Sequence, residues 1–155
     1  MTITIRPATP HDAVEIGQLV KQFAAYLRSL GDPTDFKFSA DTYLRDGFGP
    51  NPAFAGLVAE ADGWVVGYLL YHFGYDTDRA IRLMYVVDLY VREDARRQGV
   101  GTALMREAAR ICQEAGGRTL VWAVYAPNKL AARFYERLGA HYIRVYRKLA
   151  TNFTN

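Results

Sequence analysis

Several features are absent from this sequence of 155 residues, and each absence excludes a class of protein. Its single cysteine, Cys112, excludes an internal disulfide and a zinc site built from cysteines. The three histidines share no metal-ligand spacing, so we expect no metal site. The longest apolar run, residues 120–126, is far shorter than the roughly 18 residues of a membrane-spanning helix. The N-terminus has no basic stretch followed by an apolar one, so we expect a cytoplasmic protein with no membrane partner.

The sequence also lacks repeats, low-complexity stretches and a flexible linker, so residues 1–155 are expected to form one domain. Half of the residues are hydrophobic and 14% are aromatic, which excludes a disordered chain and provides a core. The formal net charge is only +3. A charge this mild suits an anionic ligand and gives little support to a nucleic-acid partner.

Hydrophobic periodicity and turn residues predict the order β-α-α-β-β-β-α-β-α-β. Asp62-Gly63 between two apolar runs predicts a tight hairpin. This order indicates an α/β (α+β) fold, a mixed sheet with helices on its faces. The predicted strands are 2–6, 54–60, 64–73, 81–91, 119–125 and 141–149, and the predicted helices are 11–30, a short helix from the cap Ser39 to Arg45, 100–115, and one from the cap Asn128 to Leu138.

The loop after the strand 81–91 is the segment most informative about function. Its sequence, Arg96-Arg97-Gln98-Gly99-Val100-Gly101-Thr102, opens a helix and presents unpaired backbone N–H groups at the positive end of the helix dipole. Glycines at 99 and 101 let an anion approach the backbone closely. A phosphate or pyrophosphate is therefore the predicted ligand, with a plain tight turn as the alternative. The missing Gly-Lys-Ser/Thr and the leucine at position 104 exclude a Walker loop and a dinucleotide fingerprint.

Residues 96–101 resemble the pyrophosphate-binding motif of the GNAT family of N-acetyltransferases. Residues 5–9 resemble the first strand of that family, and residues 128–140 resemble its late signature, so nearly the whole chain is covered. Residues 46–49, 58–60, 67–68, 75–76 and 88–91 further resemble the spermidine/spermine (diamine) acetyltransferase branch. The resemblance implies a mostly antiparallel, twisted sheet flanked by helices. It also implies transfer of an acetyl group from acetyl-CoA to a primary amine by direct attack.

The resemblance also implies roles for individual residues. The pyrophosphate would bind the amides of residues 98–101, the pantetheine arm would pair with residues 89–91, and Asn128 would contact that arm. Tyr135 would be the catalytic acid, because a phenol can protonate a leaving thiolate locally. A core aromatic and a plain helix cap remain the alternatives for Tyr135 and Asn128. The implied cofactor-binding set is Leu89, Tyr90, Val91, Arg96, Arg97, Gln98, Gly99, Val100, Gly101, Thr102, Asn128, Ala131, Phe134 and Tyr135.

The general base stays open at this point. Diamine acetyltransferases carry a glutamate just before the aspartate of the 88–91 strand, and this chain has Val87 there, which cannot accept a proton. Asp88 is the predicted catalytic base, Glu60 and Asp76 are alternatives, and the amine arriving neutral is another. This departure keeps two rivals open, a non-catalytic CoA-binding or sensor module and an acetyltransferase acting on a protein amine.

The acceptor is expected to be a small-molecule amine, namely a polyamine, a diamine or an amino acid. The residues predicted to bind it are Tyr26, Asp35, Asp76 and Asp88. We also expect a homodimer, because the aromatic segment 142–146 suits packing across a two-fold axis.

Overall fold

The computed structural model describes residues 2–143 and residue 151. The element order agrees with the predicted order from the first strand to the fourth helix. Residues 141–143, the start of the predicted last strand, are not in a strand. The remainder of that predicted strand lies outside the described residues, as does most of the aromatic segment 142–146. The elements are β1 (Ile3–Pro7), α1 (Ala13–Ser29), α2 (Ala40–Gly47), β2 (Ala55–Ala61), β3 (Trp64–Asp76), β4 (Ile81–Val91), α3 (Val100–Glu114), β5 (Gly117–Val121) and α4 (Lys129–Arg137), with 3-10 turns at Pro10–Asp12 and Glu93–Ala95.

The five strands form one sheet in the order β1-β2-β3-β4-β5. All neighbours are antiparallel except β4 and β5, which are parallel, so the predicted mixed, mostly antiparallel sheet is confirmed. The hairpin between β2 and β3 turns at Asp62 and Gly63, whose φ angles are 54° and 81°. Two successive residues with positive φ are the requirement of the hairpin turn that Asp-Gly predicts.

Helices cover both faces of the sheet, and each face has its own hydrophobic cluster. On one face, Ile16 and Leu19 of α1 pack with Tyr43 of α2 and Tyr68 of β3. On the other face, α3 packs against β2, β3 and β4 through Leu104, Ala108 and Cys112, among others. Cys112 is 3% exposed, as expected for a small core residue.

Two strand boundaries differ from the predicted ones because strand pairing decides them. β3 continues to Asp76 rather than residue 73, since it pairs with β4 down to Ile81. β5 covers Gly117–Val121 rather than 119–125. It starts earlier because Gly117 already pairs with Arg82, and it ends earlier because its pairing with β4 ends at Tyr85 and Val121.

A β-bulge interrupts the pairing of β3 with β4. Leu70 pairs with Asp88 and Tyr71 pairs with Val86, so Val87 is the additional residue. Such a bulge bends the strand and changes the direction of the side chains beyond it. Because Asp88 pairs with Leu70, its side chain lies on the face that α1 covers.

An ion-pair network fixes β1 to its neighbours. The guanidinium of Arg6 donates to Asp12 at 2.7 and 2.9 Å and to Glu60 at 2.6 and 2.8 Å. Asp12 is only 3% exposed. Burial opposes its ionisation, but hydrogen bonds from Arg6 and Thr9 outweigh burial and lower the pKa of Asp12 below its usual value.

Removal of the arginine from this network should therefore destabilise the fold. We expect Arg6→Leu to lower the free energy of unfolding by about 2–3 kcal/mol at pH 7, because it leaves the Asp12 carboxylate buried without its partner. The loss should shrink as the pH falls through the pKa of Asp12, since a carboxyl group with a lowered pKa stabilises the fold only while it is ionised. Urea denaturation at pH 7 and pH 3 measures both values.

The matched control is Arg45→Leu, which removes an exposed arginine paired with Asp46. It should leave the free energy of unfolding nearly unchanged. Equal losses in the two variants would contradict the special role of the Arg6 network.

Candidate functional site

The site is built on an open edge of β4. Tyr85 is the last residue of β4 that pairs with β5, and β4 continues for six more residues to Val91. Arg92 N donates to Val66 O of β3. Because the backbone groups of successive strand residues point in alternate directions, those of Tyr90 also point towards β3, and those of Leu89 and Val91 point towards the open edge. Among the predicted residues 89–91, Leu89 and Val91 are thus the two that can pair with a strand-like ligand.

The loop after β4 presents free amides at the start of α3. Arg97 and Gly99 have φ angles of 63° and 81°, a left-handed conformation that glycine adopts readily and arginine rarely. Gly99 is the N-cap of α3 and supplies no side-chain cap. Within the described part of the chain, no amide of residues 97–102 donates a hydrogen bond to protein. A run of free amides at the start of a helix is the arrangement that the predicted anion site requires.

The two glycines of the loop are needed for different reasons. A Cβ at Gly99 would meet open space, so its left-handed φ is what favours glycine there. A Cβ at Gly101 would lie 2.9 Å from Cζ of Phe134. Gly101 therefore lets α4 approach α3. The sequence alone predicts a different reason for this glycine, namely close approach of an anion to the backbone. The other loop residues differ in exposure, since Val100 is buried, Thr102 is half-buried, and Arg97 and Gln98 are exposed.

The side chain of Arg96 turns inward rather than out to a ligand. Its Nε donates to Val91 O at 2.9 Å. Its guanidinium lies 5.5 Å from the ring centre of Tyr26 and 5.4 Å from that of Tyr90. Arg96 therefore connects the loop to β4 and α1, and the exposed Arg97 is the arginine left to face an anion.

Asn128 is both a helix cap and a link between helices. It is 7% exposed, and its Oδ1 accepts a hydrogen bond from Ala131 N at 3.2 Å at the start of α4. The same oxygen accepts one from the hydroxyl of Tyr26 at 3.2 Å. The cap interpretation is confirmed, and the contact places the predicted residues Tyr26 and Asn128 side by side.

Asp88 and Tyr135 come together from opposite elements. Burial raises the pKa of Asp88 to about 6, and Asp88 has no hydrogen bond or ion pair to another described residue. Burial, with a contribution from the negative charge of Asp88, raises the pKa of Tyr135 to about 12. The Tyr135 ring packs against Trp122, 5.0 Å away, and against Phe134. The charge of the predicted base therefore acts on the predicted acid, and Trp122 packs against the ring of that acid.

A groove of about 640 Å³ lies between α1 and the turn after β4. Tyr26 and Ser29 line one side, and Tyr90, Glu93 and Arg96 line the other. Its rim carries charges of both signs, since Arg92 and Asp94 also line it as an ion pair.

Other candidates from the sequence lie elsewhere. Asp35 is exposed in the loop between α1 and α2 and pairs with Lys37. Asp76 pairs with Ile81 at the far end of its hairpin, roughly 20 Å along the strand from Leu70, the partner of Asp88. A hydrogen bond from Arg79 lowers the pKa of Asp76, which makes it a weaker base. Glu60 is held by Arg6. Of the three carboxylates considered as bases, Asp88 is the one whose charge raises the pKa of Tyr135.

No cluster of metal-ligating side chains occurs in residues 2–143. Within that same range, no helix is both long and apolar enough to cross a membrane.

Comparisons with known proteins agree with this geometry. The sequence profile described as acetyltransferase (GNAT) family matches residues 19–140. The chain is 36% identical over 146 residues to thialysine N-epsilon-acetyltransferase of Bos taurus, covering 89% of this chain and 84% of the bovine protein. It is 29% identical to spermidine/spermine N(1)-acetyltransferase-like protein 1 of Homo sapiens, over 88% of this chain and 20% of the human protein.

The fold also agrees with a solved structure. The ribosomal-protein-alanine N-acetyltransferase of Brucella melitensis biovar Abortus 2308 superposes with a TM-score of 0.75 at 22% identity, over 98% of this chain and 100% of that one. At this identity the likeness shows a shared fold.

The raised pKa of Asp88 predicts an unusual dependence of stability on pH. Ionising this carboxyl costs more in the folded state than in the unfolded one, whose pKa is near 4. The wild type should thus lose about 2–3 kcal/mol of unfolding free energy from this group between pH 4 and pH 7.5. Asp88→Asn should not, so the variant gains stability relative to wild type across that window.

Urea denaturation at both pH values measures the difference. Asp35→Asn, in an exposed loop, is the control and should follow the wild-type pH dependence. Parallel stability curves for Asp88→Asn and wild type would contradict the burial of this carboxylate.

Proposed function

Since the chain belongs to the acetyltransferase (GNAT) family and is an N-acetyltransferase, we propose that it transfers the acetyl group of acetyl-CoA to a primary amine of a small molecule. The observation that carries this proposal is that Asp88 lies on the part of β4 beyond its pairing with β5 and that its charge raises the pKa of Tyr135 on α4. The amine attacks directly, so no acetylated enzyme side chain is required.

The residues around the open edge fit coenzyme A. The free amides of residues 97–102 and the exposed Arg97 suit a diphosphate. The open-edge backbone groups of Leu89 and the N–H of Val91 suit the amides of the pantetheine arm, which can pair as an added strand, whereas the Val91 carbonyl already accepts from Arg96. Asn128 lies at the start of α4, where it can reach that arm, with Ala131 and Phe134 on the same helix.

Two proton transfers by this chain accompany the reaction. Acetyl-CoA supplies a thioester whose carbonyl carbon forms the new C–N bond while the C–S bond breaks. Asp88 accepts the proton that the amine nitrogen loses, and Tyr135 donates a proton to the departing sulfur. The products are an N-acetyl amide and the free thiol, so atoms and charges balance.

The two pKa values suit these roles. A carboxyl group with a pKa of about 6 is ionised at neutral pH, and it is a stronger base than an ordinary aspartate. A phenol with a pKa of about 12 stays protonated until a thiolate, with a pKa near 8.5, forms beside it. That transfer alone is uphill by roughly 3–4 pKa units, or about 5 kcal/mol. Return of the amine proton from Asp88 to Tyr135 is downhill and offsets this cost.

We propose the groove between α1 and the turn after β4 as the acceptor site, with Tyr26 as a lining residue. Because its rim carries both signs of charge, it suits an amino acid with a side-chain amine better than a polyamine that carries only positive charge. The bovine relative is named for an N-epsilon amine of thialysine, which fits this class.

The proposal includes a homodimer in the cytoplasm. Tyr142 and Ile143 are 74% and 61% exposed, and such apolar side chains suit a subunit contact. Analytical sedimentation at several concentrations should give twice the monomer mass.

Release of free CoA thiol tests the function directly. The chain should release thiol from acetyl-CoA with thialysine, lysine or ornithine, more slowly with spermidine or putrescine, and not with an N-acetylated amine. Mass spectrometry should find one added acetyl group on the acceptor. Tight CoA binding without thiol release across this panel, with a lysine-containing peptide included, would contradict the proposal.

Tyr135→Phe tests the acid. The variant should lower kcat by about 100-fold or more, because the thiolate then leaves without a local proton donor. Its affinity for CoA, measured by calorimetry, should stay within about twofold of wild type. Tyr75→Phe, the same change at an exposed position of the β3–β4 hairpin, is the control and should leave kcat unchanged. Equal kcat values for Tyr135→Phe and wild type would remove Tyr135 from the reaction.

A further inference from the structure

One buried hydroxyl group has no partner in the part of the chain that the structure describes. Tyr68 of β3 is 0% exposed, and its Oη is the buried side-chain atom there without a hydrogen bond. Such a group costs about 1–3 kcal/mol when left unsatisfied. A phenylalanine would fill the same space without that cost, so the hydroxyl group requires an explanation.

Tyr68 lies diagonally across from Asp88. It pairs with Tyr90, and Asp88 is two residues from Tyr90 on the same face of the sheet. Diagonal neighbours on one face are about 7–8 Å apart and within reach of an aromatic side chain. Burial and the nearby charge of Asp88 both raise the pKa of Tyr68, so the hydroxyl stays a proton donor.

Asp88 has a matching deficiency, since its half-buried carboxylate lacks a donor among the described residues. Partial burial of an ionised carboxylate without hydrogen bonds is costly. The hydroxyl groups whose pKa values the charge of Asp88 raises are those of Tyr68 from β3 and Tyr135 from α4. Tyr90 lies against Arg96, and Tyr135 is assigned to the departing sulfur. Tyr68 is therefore the donor left for Asp88.

The helix that covers this face brings no competing charge. α1 packs on the sheet through apolar side chains such as Ile16 and Leu19. Of its charged residues, Glu15 accepts a hydrogen bond from Val65 N, Lys21 is exposed, and Arg28 lies over the ring of Phe36.

We propose that Tyr68 is a positioning residue: when Asp88 ionises, the Tyr68 hydroxyl, unpartnered among the described residues, turns to donate a hydrogen bond to the carboxylate and orients it towards the acceptor amine. The buried hydroxyl and the half-buried carboxylate then satisfy each other, and the ionised form of Asp88 is stabilised. The role of this contact in catalysis rests on the proposed function of Asp88 as the base, whereas the contact itself does not.

The contact predicts a shift in the titration of Asp88. A hydrogen bond to the charged form of a carboxyl group lowers its pKa, so its removal raises that pKa. Tyr68→Phe should raise the pKa of Asp88 by about 1 unit, as expected from loss of one charge-assisted hydrogen bond. Carbon NMR of protein labelled at the aspartate carboxyl carbons measures this value, with Asp88→Asn identifying the resonance.

Tyr43→Phe is the matched control. The Tyr43 hydroxyl is also buried, but it donates to Thr9 O at 2.7 Å and lies away from Asp88. Tyr43→Phe should lower the free energy of unfolding in urea denaturation and leave the Asp88 titration unchanged. Tyr68→Phe should shift the Asp88 titration. At pH 4, where Asp88 is neutral, it should cause little or no loss of unfolding free energy.

The pH dependence of kcat/KM separates the two proposals. In the wild type it should break near pH 6, and Tyr68→Phe should move that break upward together with the NMR value. A shift in the NMR value without movement of the break would support the contact and overturn Asp88 as the base. An NMR value within 0.2 unit of wild type, in a folded variant, would overturn the contact.

Discussion

β5 stops pairing with β4 at Tyr85, and the rest of the site depends on this divergence. If β5 paired with β4 along its whole length, the open-edge backbone groups of Leu89 and the N–H of Val91 would be occupied by β5. Because the sheet opens there, Tyr135 of α4 comes close to Asp88 of β4. The same opening places the free amides before α3 next to the unpaired end of β4.

Close packing fixes the geometry of this opening. Gly101 leaves room for Phe134, so α4 lies closer to α3 than any larger residue would permit. Arg96 connects the loop to Val91, Tyr26 and Tyr90, and Tyr26 continues the connection to Asn128. The cofactor loop, α1 and α4 are therefore linked by contacts that exist without a ligand, which preorganises the site.

The bulge at Val87 sets the direction of the Asp88 side chain on β4. The additional residue turns Asp88 onto the face beneath α1, where burial raises its pKa. A buried carboxylate without an ion pair destabilises the fold at neutral pH. The role of base that we propose for Asp88 accounts for this cost, and the unpartnered hydroxyl of Tyr68 is a second cost on the same face.

The sequence by itself determined the element order, the Asp62-Gly63 hairpin, the caps at Ser39 and Asn128, and the glycine-bearing loop before α3, because each follows from local backbone preference or hydrophobic periodicity. The end of β5, the bulge, and the pairing of Glu60 with Arg6 were decided only by tertiary structure. Those features depend on which strands pair and which side chains meet across the sheet. Arg6, far from Glu60 in the chain, occupies that carboxylate through a contact that no local pattern contains.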